Sequence, residues 1–256
     1  MKALIVYFSG TGNTKYIGDT LCDNLEKYGY EVKAYGINKF NKEDLKNTDL
    51  LILGGPIYAG NVPEKFIKWV FKNIVNTDRH IKAIVYSTSA GSINANGVDS
   101  IGAKLSKKGY EVIAKEVFIM PRNIEFGNYG KNTKEEIEKM IKDSNLKATE
   151  VINNLVNGNL KKLEITNKGI LKKDLIAELF SIMAKFIGKG FAVNNECIKC
   201  KKCVNECPQN NIKLTEKGIK FGFNCMMCAK CLNNCPKNAI LYTKKKQNQY
   251  NINSYL

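Results

Sequence analysis

The sequence lacks long apolar runs and has almost no histidine. No stretch of about 18 apolar residues occurs among its 256 residues, so no membrane-spanning helix is predicted. The opening apolar run, residues 3–8, is short and no cleavage-site pattern follows it, so we expect no signal peptide. The single histidine, His80, precedes a predicted strand and has no partner in the sequence pattern. A Ser/His/Asp or Cys/His catalytic set is therefore not predicted.

Cysteine is absent from residues 23–196, although the chain contains nine cysteines. Cys22 stands alone, and the other eight lie between Cys197 and Cys235. A disulfide framework is typical of short secreted chains, and this chain is neither short nor visibly secreted. We therefore predict a reduced, cytoplasmic protein.

Acidic residues are scarce relative to basic ones. The chain has 24 Asp and Glu against 40 Lys and Arg, which gives a net charge of +16. Such a charge can indicate nucleic-acid binding. Here the lysines are spread along the whole chain, which favours a general compositional bias over a dedicated basic patch on the surface. We therefore expect no nucleic-acid partner, whereas an acidic redox partner protein suits this charge.

Apolar, β-branched runs alternate with amphipathic stretches over residues 1–158. The last helix of this region begins with the capping-box pair Thr133 and Glu136. Strands that alternate with helices indicate an α/β domain with a parallel sheet covered on both faces. Strands are predicted at 3–8, 31–36, 49–55, 81–89 and 111–120, and helices at 14–29, 62–74, 98–109 and 133–158.

Three further segments follow this domain. Residues 159–190 are predicted to be a linker that contains an amphipathic helix at 171–190. We expect this helix to pack against a flanking domain; peripheral contact with a membrane, through lysines beside the apolar face, is the less favoured alternative. Residues 191–242 are rich in cysteine and turns, and residues 243–256 form a polar tail that we expect to be mobile.

The first strand-to-helix turn, FSGTGNTK (8–15), has the composition of a phosphate-binding loop. Its glycines allow a tight turn, its hydroxyl side chains can donate to an anion, and the new helix offers N–H groups and the positive end of its dipole. The loop is not a G-x-G-x-x-G dinucleotide motif, because Lys15 holds the last glycine position. A phosphate monoester is the predicted ligand, and a purely structural turn is the alternative. The predicted binding residues are Ser9, Gly10, Thr11, Gly12, Asn13 and Thr14.

Two more loops, 54–63 and 87–97, follow the third and fourth predicted strands. Ligands of such sheets lie outside the carboxyl ends of the strands, at the switch point of the topology. Small residues there allow the backbone to approach a planar ring, and Tyr58 can stack on it, although simple packing of Tyr58 is the alternative. The predicted ring contacts are Pro56, Ile57, Tyr58, Ala59, Gly60, Ser87, Thr88, Ser89, Ala90 and Gly91.

The segments S-G-T-G-N-T, G-G-P-I-Y-A-G and S-T-S-A-G, in this order, resemble the flavodoxin family over residues 1–158. The resemblance implies a flavodoxin-like, doubly wound, five-stranded parallel sheet with strand order 2-1-3-4-5. It also implies FMN as the cofactor. The phosphate would lie in the first loop, and the isoalloxazine ring would lie between the second and third loops.

The eight clustered cysteines form an internal repeat. CIKCKKCVNECP (197–208) and CMMCAKCLNNCP (225–236) share the spacing C-x-x-C-x-x-C-x-x-x-C-P. This doubled spacing indicates two [4Fe–4S] clusters, because thiolates two residues apart in a tight loop can reach three corners of one cubane. Zinc is the alternative, although its sites more often use paired C-x-x-C knuckles.

Residues 191–242 resemble the α+β domain of bacterial two-cluster ferredoxins. The resemblance implies that the fourth cysteine of each run ligates the cluster of the other run. Such ferredoxins are usually acidic, whereas both runs here contain lysines, which leaves the charge of the partner open. The implied ligand sets are Cys197, Cys200, Cys203 and Cys235 for one cluster, and Cys225, Cys228, Cys231 and Cys207 for the other.

These features predict an electron-transfer protein that passes electrons between FMN and two [4Fe–4S] clusters. Such a chain can link one-electron carriers to a two-electron flavin step. The alternative is an FMN-dependent oxidoreductase that acts on an unidentified small molecule, with the clusters as a relay. A redox-responsive binding module is less favoured. No catalytic residue is predicted.

Overall fold

The computed structural model describes residues 1–91, 96–124, 132–165 and 170–256. The predicted loop 87–97 therefore lies partly, at 92–95, outside the described residues.

A five-stranded parallel sheet forms the core of the N-terminal domain. Its strand order is β2-β1-β3-β4-β5, which confirms the predicted topology. The three central strands are apolar along most of their length because helices cover both of their faces. The strands are β1 (Lys2–Tyr7), β2 (Glu31–Gly36), β3 (Leu50–Pro56), β4 (Lys82–Ser89) and β5 (Glu111–Ile119).

Within the described part of this domain, four α-helices cover the sheet, two on each face. The first and fourth bury their apolar residues against one face, and the second and third against the other. The predicted capping box of the fourth helix is present: the Glu136 N–H donates to Thr133 Oγ1 at 3.2 Å, and the Thr133 N–H donates to Glu136 Oε2 at 2.9 Å. The helices are α1 (Asn13–Lys27), α2 (Glu64–Asn73), α3 (Asn96–Lys107) and α4 (Lys134–Val156).

Helix α5 (Ile170–Ile187) joins the two domains, as expected for a helix that packs against its neighbours. Its Ala177 lies in a core formed by α2 and α3, and its Ala184 lies in the core of the C-terminal domain. The outward face of α5 exposes Leu175, Leu179 and Phe186 to solvent. None of the helices within the described ranges is long and apolar enough to cross a membrane.

The C-terminal domain is a small α+β unit built from short elements. One sheet has the order β10-β9-β6, and a hairpin pairs β7 with β8. Two one-turn helices, one in each cysteine run, lie between the strands. The elements are β6 (Phe191–Val193), α6 (Lys202–Asn205), β7 (Ile212–Thr215), β8 (Gly218–Phe221), α7 (Lys230–Asn233), β9 (Ile240–Tyr242) and β10 (Lys245–Lys246).

The two cysteine runs adopt the same backbone conformation, 28 residues apart. Lys199 and Met227, which occupy equivalent positions, both have left-handed φ values, 53° and 57°. Just after each run, a backbone N–H donates to the sulfur of its last cysteine at 3.3 Å, to Cys207 in the first run and to Cys235 in the second. The sequence repeat is therefore a structural repeat.

The C-terminal tail packs against both domains. The sequence predicts a mobile polar tail, whereas Tyr250 is only 6% exposed and Ile252 only 4%. Tyr250 Oη donates to Asn13 Oδ1 at 2.7 Å, and Gln249 Nε2 donates to the Leu232 carbonyl at 2.7 Å. The apolar side chains within the polar stretch reach the surface of α1 and α4, and their burial explains the difference.

Candidate functional site

The predicted phosphate loop forms a tight turn into α1. Gly12 precedes the helix with φ 112°, a conformation that favours glycine, and no side chain caps the helix N-terminus. The Gly12 N–H donates to Ser9 Oγ at 3.2 Å, so the loop curls back on itself. An uncapped helix N-terminus behind such a turn is suited to a phosphate group.

The hydroxyl groups of this loop are held in place by neighbouring loops. Asn123 Nδ2 donates to Thr11 Oγ1, and Thr14 Oγ1 is hydrogen-bonded to Thr88 Oγ1 at 2.8 Å. In these contacts Ser9 and Thr11 accept hydrogen bonds, so their own O–H groups remain able to donate to an anion. The arrangement fits a phosphate, and it connects the first loop to the third.

Both polar atoms of the Asn13 side-chain amide are hydrogen-bonded within the protein. Its Nδ2 donates to the Pro121 carbonyl at 2.8 Å, and its Oδ1 accepts from Tyr250 Oη. This buried side chain therefore fixes the segment after β5 and the C-terminal tail against the loop. A direct contact of Asn13 with the phosphate stays a prediction. The one sequence signal for Tyr250 is the presence of tyrosines and an isoleucine within an otherwise polar tail.

The second and third loops lie at the same edge of the sheet. The Ile57 N–H donates to the Thr88 carbonyl at 2.9 Å, which joins them. Tyr58 Oη and Ser87 Oγ are buried, and neither has a hydrogen-bond partner within the described residues. Buried hydroxyls normally have partners, so a polar cofactor fits these two. Ala59, Gly60, Ala90 and Gly91 are exposed beside them, whereas Pro56 and Ser89 are buried.

The eight clustered cysteines line two separate cavities, four to each. The grouping is the crossed one that the ferredoxin resemblance implies. The four cysteines of each set surround a cavity instead of converging on one point. Accordingly, no three His, Cys, Asp or Glu side chains among the described residues are close enough together to hold a single metal ion. The Cys200 site is lined by Cys197, Cys200, Cys203 and Cys235, and the Cys228 site by Cys207, Cys225, Cys228 and Cys231. The assignment of each cysteine as a ligand remains a prediction.

Cys228 is buried and Cys225 and Cys231 are partly buried, which affects the ionisation of these three thiols. Burial raises the pKa of Cys228 to about 12, and it also raises the pKa of Cys225 and Cys231. A thiolate in such surroundings is unfavourable unless cations compensate for its charge. Iron ions would supply this compensation, so the donor set and its burial fit an iron–sulfur cluster.

The Cys228 site lies directly against the phosphate loop. A Cβ atom added at Gly10 would lie 3.0 Å from the Cys228 carbonyl oxygen, 3.3 Å from Cys228 Cβ and 2.7 Å from Tyr58 Oη. Met226 and Cys228 are buried in the same apolar cluster as Phe8 of the N-terminal domain. The absence of a side chain at Gly10 therefore allows the two domains to meet at this point.

Lys65 of α2 lies beside the Cys228 site. Its Nζ donates to Gln209 Oε1 at 3.3 Å, and Gln209 lines the cavity. Burial lowers the pKa of Lys65, while the nearby thiols of Cys207 and Cys228 act in the opposite direction. No sequence signal separates Lys65 from the other lysines, because its position depends on the docking of the two domains.

Known proteins resemble both parts of the chain. The family model of the flavodoxin domain matches residues 4–147, and that of the 4Fe-4S dicluster domain matches residues 196–240. The flavodoxin-like domain-containing protein BilS of Clostridioides difficile is 31% identical over 147 residues, which are 56% of this chain and 75% of that protein. An uncharacterized protein of Methanocaldococcus jannaschii, MJ0298, is 31% identical over 117 residues, 45% of this chain and 73% of that protein. The structure of an archaeal flavodoxin is 16% identical, with a TM-score of 0.44, over 60% of this chain and 99% of its own.

The two family matches and the two domains agree. The flavodoxin domain has FMN as its cofactor, and the dicluster domain has [4Fe–4S] clusters. The cysteines of the second domain line two cavities, and the loops of the first lie at one edge of its sheet. The chain belongs to the flavodoxin domain family and is an electron-transfer flavin and iron–sulfur protein.

Proposed function

We propose that electrons travel within this chain between the FMN of the first domain and the cluster of the Cys228 site, and from there to the cluster of the Cys200 site. When bound, FMN exchanges one or two electrons and each cluster exchanges one, so the chain couples one-electron carriers to a two-electron step. The contact between Gly10 and Cys228 is the observation that carries this proposal.

The residues at this contact bring the two redox sites together and exclude water. Gly10 has no side chain, so the backbone of Cys228 approaches the phosphate loop within van der Waals distance. Met226 and Cys228 are buried, and Tyr58 Oη is covered. A fixed, dry contact replaces a diffusive encounter between two proteins.

The Cys200 site would be the point of exchange with other molecules. Cys200 is exposed, whereas its counterpart Cys228 is buried. A cytoplasmic location is part of the proposal, supported by nine cysteines that form no disulfide.

The proposal is tested by the kinetic order of electron transfer from the flavin to the clusters. The anaerobic holoprotein, with FMN and both clusters loaded, is reduced at the flavin by a light pulse in the presence of a sacrificial amine, which is oxidised as it donates the electrons, and cluster reduction is followed by absorbance. We expect a rate that does not change over a tenfold range of protein concentration. A rate proportional to protein concentration contradicts the proposal.

A Gly10→Ala variant tests the contact itself. Its new methyl group would meet Cys228 and Tyr58 at the distances given above, so the domains must separate slightly and the internal rate must fall. FMN affinity, measured separately by flavin fluorescence, shows whether the phosphate loop still binds. An unchanged internal rate in a variant that retains FMN argues against transfer at this contact.

A further inference from the structure

We propose that the exposed loop around Cys200, residues 198–202 together with Lys237, is the docking surface for a one-electron carrier protein with an acidic surface. This inference rests on the proposed function, because it assigns the external end of the same electron path. It follows from a comparison with the equivalent loop around Cys228, whose partner is visible in the structure.

The loop around Cys228 shows how this backbone meets a redox partner. It packs against Gly10 and Tyr58, and Met226 and Met227 are buried. The loop around Cys200 has the same left-handed positions, with φ 53° at Lys199 and 62° at Lys201. Its outer side is exposed: Ile198 is 57% exposed, against 6% for its counterpart Met226. The exposed loop therefore presents to solvent two positions whose counterparts are buried, Met226 against the flavin domain and Met227 in the core of the C-terminal domain.

The side chains on the exposed loop differ in charge from their counterparts. Lys199 and Lys201 occupy the positions of Met227 and Ala229, and Lys237 occupies the position of Gln209. One lysine is common to both runs, as Lys202 and Lys230. Four lysines thus line the Cys200 site, and all four are exposed.

The negative charge of a cluster does not account for these lysines. Both sites have four cysteines and take the same kind of cluster. The Cys228 site has Lys230 from its own run and Lys65 from α2, and its other equivalent positions are uncharged. The additional lysines at the Cys200 site therefore serve a contact outside the chain.

Nearby carboxylates do not neutralise this surface. No Asp or Glu lines the Cys200 site within the described residues. Glu196 is paired with Lys246 at 2.9 Å. Glu206 keeps its negative charge, but it accepts from Asn234 Nδ2 at 2.5 Å and does not line the site, and this single carboxylate leaves the four lysines in excess. A basic rim around an exposed apolar residue, Ile198, has the anatomy of a small transient interface. Such a rim attracts an acidic partner and accelerates its association.

A nucleic acid is a less suitable occupant. Binding of single strands normally uses aromatic side chains on which bases stack. The lining of the Cys200 site, as far as the structure describes it, contains no aromatic residue. A carrier protein is therefore favoured, and nucleic-acid binding becomes an outcome of the test.

The experiment uses two small oxidants of opposite charge. The anaerobic, fully reduced holoprotein is mixed in a stopped-flow instrument with the anionic chelate Fe(III)-EDTA or with the cation hexaammineruthenium(III). Each event moves one electron from a cluster to the metal, which becomes Fe(II) or Ru(II), and no proton is transferred. At low ionic strength we expect Lys199→Glu/Lys201→Glu to slow the anionic oxidant about tenfold and to accelerate the cationic one. Both effects should disappear at about 0.5 M salt.

The matched control is Lys139→Glu/Lys142→Glu on α4, which makes the same change in net charge at two exposed lysines. The control should change neither rate more than about twofold. Equal effects in the two double variants would overturn the proposal, because they would reflect net charge alone. If iron content shows that the glutamate variant has lost its cluster, Lys199→Gln/Lys201→Gln takes its place. This variant makes a smaller change in charge, so its effect on both rates should be smaller than that expected for the glutamate variant.

Equilibrium binding gives a readout that does not depend on electron transfer. An acidic rubredoxin that carries zinc in place of iron is titrated into the holoprotein and followed by NMR. We expect its Kd to rise about tenfold in the Lys199→Glu/Lys201→Glu variant and to stay unchanged in the control. A single-stranded DNA 20-mer that binds these lysines more tightly than the carrier does would overturn the assignment. If the charge effects appear while flavin-to-cluster transfer is absent, the docking surface stands and the proposed internal route fails.

Discussion

The loops around Cys200 and Cys228 have the same spacing, the same left-handed positions and the same hydrogen bonds to sulfur, yet different surroundings. One loop is buried against the phosphate loop of the flavin domain, and the other is exposed and basic. Cysteine spacing therefore determines how a cluster is held. The residues between the cysteines determine what the cluster contacts, because they alone differ between the runs.

The largest expected effect comes from replacing either of the two equivalent cysteines, Cys228 in one site or Cys200 in the other. Cys228→Ser should abolish transfer from FMN to the clusters, because it disrupts the cluster next to the flavin domain. Cys200→Ser should preserve that transfer and abolish the transfer from clusters to Fe(III)-EDTA. The first rate is measured after the light pulse described above and the second by anaerobic stopped flow with Fe(III)-EDTA, with iron content as the check on cluster loss. Identical behaviour of the two variants would remove the distinction between the sites.

The crossed grouping, in which the last cysteine of each run lines the site of the other run, provides the second test. Cys207 lies in the first run but lines the Cys228 site, and Cys235 lies in the second run but lines the Cys200 site. Cys207→Ser should therefore reproduce the Cys228→Ser phenotype, and Cys235→Ser that of Cys200→Ser. Electron paramagnetic resonance of the reduced proteins identifies which cluster signal is lost. Loss of the Cys200 signal in Cys207→Ser would show that each run holds its own cluster.

A smaller effect is expected at Lys65, whose positive charge lies beside only one of the two sites. Lys65→Met should lower the reduction potential of the cluster in the Cys228 site by on the order of tens of millivolts, because a nearby cation favours the reduced, more negative cluster. Lys68→Met on the same helix is the control, since Lys68 is exposed and paired with Glu64. Potentials are measured by redox titration. Equal shifts in both variants would mean that Lys65 acts through net charge only.

The smallest effect concerns Tyr58, which covers the Cys228 loop, whereas no tyrosine is among the described residues that line the Cys200 site. Within the described residues its buried hydroxyl has no partner, so Tyr58→Phe should raise the stability of the FMN-free protein by about 1 kcal/mol, or about 2 °C in its Tm. A lower Tm of the FMN-free variant would show that the protein itself hydrogen-bonds this hydroxyl.

The same variant has an expected pH dependence. Burial raises the pKa of Tyr58 well above the ordinary value of 10.0. As the pH rises above about 10, the unfolded chain loses this proton first, so the contribution of Tyr58 to stability is complete below that pH and is lost above it. Tyr58→Phe should therefore show a shallower fall of Tm between about pH 9 and 11 than the parent protein.

Local patterns in the sequence predict most of the fold. The five strands and their helices lie within a few residues of the predicted bounds, because apolar periodicity and the capping pair Thr133 and Glu136 act locally. The grouping of Cys207 with the second run was implied by resemblance to two-cluster ferredoxins. The positions of Lys65 and Asn123 could not be predicted, since their contacts with Gln209 and Thr11 join residues more than 100 positions apart.

The hydrogen bond between Asn13 and Tyr250 has a consequence for synthesis. It joins residues 237 positions apart, and it holds the phosphate loop that begins the first helix. During translation the flavin domain emerges and can form its sheet long before residue 250 leaves the ribosome. The hydrogen bond from Tyr250 can therefore form only after both cysteine runs have been made, so this contact of the phosphate loop is added after the iron–sulfur domain has been synthesised.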